Sequence, residues 1–110
     1  MPVVADVSFE GQSGTPYRFE VYPITARFRD VGAVYLFTRR ETEAGSYVHT
    51  PLRVGQTERL GERIRDHEEW PALKEAGCNC SCVLSVASEV RRVEIETDLR
   101  RAGPMPSDGS

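Results

Sequence analysis

The chain is poor in several residue types that are abundant in particular classes of protein, such as disulfide-rich or metal-binding proteins. In 110 residues it has one tryptophan, two histidines and three cysteines. Its longest apolar stretch, residues 32–37, is far too short to cross a bilayer, and its N-terminus lacks the basic and apolar segments of a secretory signal. No membrane association is therefore indicated, and the expected location is the cytoplasm.

The chain also lacks an excess of one charge, since 14 lysines and arginines stand against 17 aspartates and glutamates and the formal net charge is -3. This gives no overall attraction to a polyanion, so a role with nucleic acid would need a local basic patch. Candidate patches are the pairs Arg39-Arg40, Arg91-Arg92 and Arg100-Arg101, although charges solvated on helix faces are the simpler interpretation. The length predicts a single domain over residues 1–104 with a flexible tail at 105–110.

The cysteines stand together at alternate positions, as Cys78, Cys80 and Cys82. In a strand all three would point to one face. Structural zinc usually needs paired cysteines or histidines in separated clusters. We therefore expect buried, reduced thiols rather than a metal site or a disulfide.

The first half of the chain shows the alternation of half-buried strands. Residues 3–9 and 17–21 predict an antiparallel hairpin inside an N-terminal extension, residues 1–30. Residues 24–30 fit either a strand or a loop. Residues 32–38 predict a central strand covered on both faces, and residues 52–55 the next strand. The polar residues between them, 39–50, predict a long connection.

A helix is predicted over residues 58–69. Thr57 is the candidate N-cap, and the Trp70-Pro71 pair marks an end or a kink. Arg63 and His67 stand four residues apart, so in a helix they would share one face. The stretch from Leu52 to His67 therefore combines a strand, a glycine turn and a helix that presents a cation beside an imidazole.

The last third predicts one more strand, over residues 80–86, and a helix capped by Ser88 that runs to residue 102. Glu96 falls on or beside the packing face of that helix. A carboxylate there must be paired, protonated or bound to a cation. The predicted fold class is α+β, a small mixed or antiparallel sheet flanked by helices and extended by the N-terminal hairpin.

In order and spacing, these residues resemble the GIY-YIG nuclease family, which includes homing endonucleases, some restriction enzymes and the incision subunit of bacterial excision repair. The resembling segments are Val34-Tyr35, then Leu52-Arg53-Val54-Gly55-Gln56-Thr57 with Leu60, Arg63 and His67, and finally Glu96-Thr97-Asp98-Leu99. The middle segment is similar to the family's Y-I-G-x-T-x-x-L-x-x-R-x-x-x-H line. The last is similar to its E-x-x-L helix. The resemblance covers residues 32–108.

The resemblance implies a role for each matching position. Tyr35 would activate or position the attacking water, Arg63 would steady the scissile phosphate, and His67 would assist proton transfer. Glu96 would hold a single divalent metal, Mg²⁺ or Mn²⁺. Phosphodiester hydrolysis needs a nucleophile, charge compensation and a Lewis acid, which these groups can supply. A tyrosine base, with an ordinary pKa of about 10, would need an adjacent cation to work at neutral pH.

The second motif departs from the family pattern. Arg53 replaces a tyrosine, so the position has no phenol, although a guanidinium could bind phosphate. Together with Gly55 and Gln56 it is expected to contact the substrate. The first motif has Ala33 in place of glycine, and the family's late asparagine falls at Asp108.

The leading hypothesis is therefore a metal-dependent endonuclease acting on nucleic acid, with DNA as the expected substrate. The alternative is a catalytically weak or inactive module on the same fold that binds nucleic acid or protein. A third hypothesis is a structural domain without a site, in which Glu96 pairs with Arg92 or Arg100 along the helix. The chain shows no separate DNA-reading motif, so specificity would come from a homodimer or a protein partner.

Overall fold

The computed structural model describes residues 5–103. Five strands and three helices make up this part of the chain. In chain order they are β1 (Ala5–Glu10), β2 (Pro16–Pro23), β3 (Ala33–Glu43), β4 (Ser46–Thr57), α1 (Leu60–Arg65), α2 (Trp70–Glu75), β5 (Cys80–Ser85) and α3 (Glu89–Arg101).

The strands form one sheet in the order β1-β2-β5-β3-β4, and every neighbouring pair is antiparallel. The α+β prediction is confirmed, and of the two predicted sheet types the antiparallel one is present. The N-terminal hairpin extends the sheet as predicted, because β2 pairs with β5. The first predicted strand included residues 3 and 4, which lie outside the described residues.

The alternation of β3 divides the core between the two faces of the sheet. Val34 and Leu36 pack with Ile95 and Leu99 of α3, on what we call the α3 face. Tyr35 and its same-face neighbours pack on the opposite side, the α1 face; these residues are Ala33, Tyr35, Phe37, Leu60, Ile64 and Leu73. Residues 33–38 of β3 are buried without interruption, which agrees with the prediction of a strand covered on both sides.

The prediction of a long polar connection over residues 39–50 is wrong. β3 and β4 continue as a paired hairpin to Glu43 and Ser46, and Ala44 and Gly45 turn the chain with φ of 51° and 83°. Residues 41–48 are exposed on both faces of this projecting ladder. Two-sided exposure removes the apolar alternation by which a strand is recognised, so the polar composition was misleading.

The helix predicted over residues 58–69 is also shorter than expected. α1 ends at Arg65, so His67 lies beyond it and not on a shared helical face with Arg63. Thr57 does not occupy the N-cap position, which belongs to Arg59; its hydroxyl instead accepts the Arg59 N–H at 3.0 Å.

Trp70-Pro71 begins a second helix and does not simply end the first. The proline stands in the first turn of α2, where its missing N–H leaves no helical hydrogen bond unmade. The Trp70 indole N–H donates to the Ile64 carbonyl oxygen at 2.7 Å. This hydrogen bond ties the start of α2 to α1 across the break between them.

The last helix agrees with its prediction. Ser88 is the N-cap and accepts the Arg91 N–H at 3.2 Å. The predicted tail at 105–110, with Asp108, lies outside the described residues. None of the helices that the structure describes is both long and apolar enough to cross a membrane.

The cysteines are all buried and free, as expected. All three would share one face only if residues 78–82 formed a strand, and the strand begins at Cys80. Cys80 and Cys82 lie in β5 and pack on the α3 face. Cys78 precedes the strand and packs on the α1 face.

Candidate functional site

Tyr35 lies in the middle of the sheet on the α1 face and is only 1% exposed. Its hydroxyl accepts a hydrogen bond from Nε of Arg63 at 3.0 Å. β3 fixes the phenol from one side and α1 brings the guanidinium from the other. The two residues are 28 positions apart in the sequence, so the fold itself creates this pair.

Arg63 is held by a second contact, with Glu68. Its two terminal nitrogens donate to the two Glu68 carboxylate oxygens at 2.7 and 3.3 Å, a bidentate pair. Burial alone would lower the pKa of Arg63, but the hydrogen bonds to Glu68 and Tyr35 raise it well above its usual value. Arg63 is thus a fixed cation that touches both a phenol and a carboxylate. The same pair lowers the pKa of Glu68.

Gly55 faces the Tyr35 ring from β4. The two residues are directly opposite in the β3–β4 ladder. A Cβ at residue 55 would overlap the ring and hydroxyl of Tyr35. Glycine is therefore required for Tyr35 to lie flat against β4 and reach Arg63.

His67 completes an aromatic cluster beneath this pair. It is 4% exposed, and its ring packs edge-on against Phe37 and Tyr35 at centroid distances of 5.0 and 6.3 Å. Its Nδ1 accepts the Glu69 backbone N–H at 3.1 Å, so in this tautomer the ring carries its proton on Nε2. The imidazole therefore lies close to the phenol, although it does not follow Arg63 by one helical turn.

Arg53 lies on the same face and is engaged by Glu69. Its Nε and a terminal nitrogen donate to the Glu69 carboxylate at 3.0 and 3.3 Å, and its other terminal nitrogen donates to the Leu52 carbonyl at 2.7 Å. The residue at the second-motif tyrosine position thus ties β4 to the segment that links α1 and α2.

Gln56, the third expected substrate contact, points to the α3 face. Its side-chain oxygen accepts Nε of Arg92 at 3.0 Å. Arg92 is 3% exposed and also donates to the carbonyls of Val86 and Ala87. The side chain of Gln56 therefore binds Arg92 and lies on the other side of the sheet from Tyr35 and Arg63.

Glu96 is half-buried on α3, whose Ile95 and Leu99 pack on the α3 face. Val93, one turn earlier, is 44% exposed and so does not belong to that packing face. Within residues 5–103 there is no group of three or more His, Cys, Asp or Glu side chains that could hold a metal. Mg²⁺ is often held by one or two carboxylates and several waters, so a single glutamate is a suitable ligand by chemistry.

The structure thus gathers Tyr35, Arg53, Gly55, Arg63 and His67 on the α1 face, while Gln56 and the packing residues of α3 lie on the other. Sequence reasoning missed Glu68, which pairs with Arg63, and Glu69, which pairs with Arg53. Neither stands at the helical spacing that reveals an ion pair, because both lie in the break after α1. Their adjacency to His67 was the one available signal.

Comparisons of this chain with protein-family models, with curated proteins and with solved structures gave no match.

Proposed function

We propose that this chain is a GIY-YIG-like endonuclease that hydrolyses nucleic-acid phosphodiester bonds with one divalent metal. The observation that carries the proposal is the 3.0 Å hydrogen bond from Arg63 to the Tyr35 hydroxyl, with Gly55 opposite and His67 alongside. In the family that the chain resembles, these residue types lie in one site. In this chain they come from three separate stretches of the sequence.

In the proposed reaction the oxygen of a water attacks phosphorus, and the bond from phosphorus to the leaving oxygen breaks. Tyr35 positions the water through its phenol oxygen. Arg63 stabilises negative charge on the phosphoryl oxygens and on that phenol oxygen. His67 relays the proton that the water loses, and the leaving oxygen gains one, so the products are a phosphate monoester and an alcohol.

Glu96 is the residue proposed to hold Mg²⁺ or Mn²⁺. A bound divalent ion would supply Lewis-acid stabilisation of charge near the leaving oxygen. This assignment follows from the resemblance. The experiments therefore treat it separately from the Arg63–Tyr35 pair.

The test is nicking of supercoiled plasmid by purified protein with Mg²⁺ or Mn²⁺. We expect nicking by the wild type, its loss in Glu96→Ala, and a drop of about a hundredfold or more in Arg63→Gln and Tyr35→Phe. Glu94→Ala is the matched control, since Glu94 is an exposed carboxylate on the same helix. Nicking that survives Glu96→Ala, Arg63→Gln and Tyr35→Phe alike would identify a contaminant and remove the proposal.

A second candidate function is a binding or regulatory module on the same fold that does not cut. The Arg53–Glu69 ion pair favours it, because the guanidinium at the tyrosine position is already bound to a carboxylate. If the wild type is inert and Arg53→Tyr gains nicking activity, this second function is correct. Glu69→Gln is the control, because it breaks the same ion pair without adding a phenol.

Either function suits a cytoplasmic protein, in which the three free thiols stay reduced. Sequence specificity would then come from a homodimer or from a protein partner. Light scattering of the purified chain, alone and with a DNA duplex, measures whether it forms a homodimer.

A further inference from the structure

A cleft of about 550 Å³ lies between the loop that follows β2 and the helices α1 and α2. The residues that give it its chemistry are Arg27, Phe28, Ile64, Arg65, Trp70 and Lys74. None of the sequence motifs described above pointed to this cleft, because its loop falls in residues 24–30, where the pattern was ambiguous. Its volume lies within the ~300–1,000 Å³ that ligand pockets usually span.

The lining of the cleft is positive, although the chain has a net charge of -3. Its lining includes three cationic side chains and no aspartate or glutamate. Arg27 and Lys74 are exposed, and neither forms an ion pair with any carboxylate of residues 5–103. Arg65 pairs with Asp66, its exposed neighbour in sequence. Arg27 and Lys74 are thus available to an anion, and Arg65 becomes available when a phosphate replaces Asp66 in an exposed ion pair that is worth little.

Aromatic surface accompanies these charges. Trp70 and Phe28 are half-buried and line the cleft. Trp70 is held by its hydrogen bond to the Ile64 carbonyl and by Phe37 at a centroid distance of 4.9 Å. Phe28 packs edge-on against Tyr22 at 5.0 Å. Both rings are fixed before any ligand arrives, so little conformational entropy is lost when one binds.

We propose that this cleft binds a short single-stranded segment of nucleic acid. Its phosphates would lie against Arg27, Arg65 and Lys74, and a base would lie against Trp70. A single strand fits better than a duplex, because a base can pack on an aromatic ring only when it is free of its neighbours in the stack. A combination of cations and fixed aromatic rings is typical of single-strand binding surfaces.

The inference deepens the proposed function, since α1 carries both Arg65 of the cleft and Arg63 of the candidate site. It adds a substrate class, a strand that is unpaired beside the cutting site. Binding in the cleft needs neither Glu96 nor a metal. Measured in EDTA, it therefore gives a result that does not depend on whether the plasmid is nicked.

Trp70 is the single tryptophan of the chain, so intrinsic fluorescence reports on the cleft directly. The probe is a thymidine oligonucleotide of about six nucleotides, a length within single-strand site sizes. We expect its addition to the wild type to change the Trp70 emission. The logarithm of the binding constant should fall with the logarithm of salt with a slope of about -2, since each of three phosphate contacts contributes about -0.7.

The decisive variant is Arg27→Ala with Lys74→Ala. Both side chains are exposed, so the fold should tolerate the change. We expect binding to weaken at least tenfold and the salt slope to fall to about -0.7. The charge-preserving variant Arg27→Lys with Lys74→Arg should keep most of the affinity. The matched control, Arg91→Ala with Arg101→Ala, removes two exposed cations from α3 and should bind like the wild type.

Three other ligands test the class of the partner. We expect a duplex of the same length, vesicles of phosphatidylserine and a phosphoserine peptide each to bind more weakly than the single strand. Equal or tighter binding of any of them would overturn the inference in favour of that ligand. If the cleft variant and the α3 control weaken oligonucleotide binding equally, binding depends on overall charge and not on the cleft, and the inference is overturned. An oligonucleotide that leaves the Trp70 emission and its own anisotropy unchanged would also remove the inference.

Discussion

The Asp98 carboxylate of α3 accepts the Tyr17 hydroxyl of β2 at 2.7 Å. The same carboxylate accepts the Ser13 hydroxyl at 2.6 Å and the Ser13 backbone N–H at 2.9 Å. One side chain thereby joins the N-terminal hairpin to the helix that carries Glu96. The hairpin is thus fixed to the core by its turn as well as by strand pairing.

This junction predicts an acid-sensitive contribution to stability. Hydrogen bonds from Ser13 first, and from Tyr17 next, lower the pKa of Asp98 below its usual value. A carboxyl group with a depressed folded-state pKa stabilises the fold above its unfolded pKa of about 4, and that contribution is lost as pH falls through the folded value. We expect Asp98→Asn to unfold at lower urea concentration than the wild type at pH 7, and the difference to shrink below about pH 4.

Asp66→Asn is the control for this prediction. Asp66 also has a lowered pKa, but its ion-pair partner is Arg65, the adjacent residue. Its loss should leave the urea midpoint at pH 7 nearly unchanged. A midpoint shift as large as that of Asp98→Asn would contradict the role given to the hairpin junction.

Gly55→Ala should disturb Tyr35 without touching any charge. The added Cβ would overlap the Tyr35 ring, which must then move away from Arg63. Overpacking of this kind costs about 1–3 kcal/mol of unfolding free energy. In the nicking assay the variant should lose activity beyond the loss explained by its unfolded fraction. Gly103→Ala, at a position with no neighbouring atoms in reach, should be neutral in both measurements.

The elements that the sequence predicted well have one solvent face, burial on both faces or a clear cap. The N-terminal hairpin alternates because one face packs on the core, and α3 begins at Ser88, whose side chain makes the expected hydrogen bond. The projecting part of the β3–β4 hairpin has two solvent faces, so it carries no such pattern. The end of α1 depends on Trp70 reaching back to Ile64, a tertiary contact that local propensity does not report.

For the candidate site, it was the resemblance to the GIY-YIG family that grouped Tyr35 with Arg63, and the structure gives a contact between them. The spacing did not reveal the face to which each residue points. Gln56 follows Gly55 directly, and strand alternation sends its side chain to Arg92 on the other side of the sheet. The carboxylates that hold Arg53 and Arg63 come from an irregular segment, where sequence offers no periodicity to reason from.

Arg92 gives a prediction about the α3 face. It is buried, and its three hydrogen-bond acceptors are the Gln56 amide oxygen and two backbone carbonyls. Arg92→Ala leaves these oxygens without their donor and should lower the free energy of unfolding by about 2–4 kcal/mol. Arg91→Ala, its exposed neighbour, should change that free energy by less than about 0.5 kcal/mol. Equal effects of the two substitutions in urea unfolding would contradict a structural role for Arg92 and Gln56.

The buried thiols predict a loss of stability in mild alkali. Burial raises the pKa of Cys82 to about 12 and that of Cys78 to about 11, whereas an unfolded cysteine has a pKa of about 8.5. The unfolded chain therefore loses these protons first as pH rises. The stabilisation is complete below about pH 8.5 and is lost between that pH and the folded-state values. By pH 10 each thiol should have lowered the free energy of unfolding by roughly 1–2 kcal/mol.

Urea unfolding at intervals from pH 7 to pH 10 measures this loss. Burial also raises the pKa of Tyr17 and Tyr22, so by the same linkage these phenols add to the decline as pH approaches the unfolded tyrosine pKa of about 10, and the thiol contribution is read below about pH 9. Cys82→Ala should flatten the alkaline decline, while Ser85→Ala, an exposed position on the same strand, should not. Alkylation by iodoacetamide at pH 8 should be slow in the folded protein and complete in urea. Fast labelling of the native chain, with stability constant up to pH 10, would show that the thiols titrate as if they were in water.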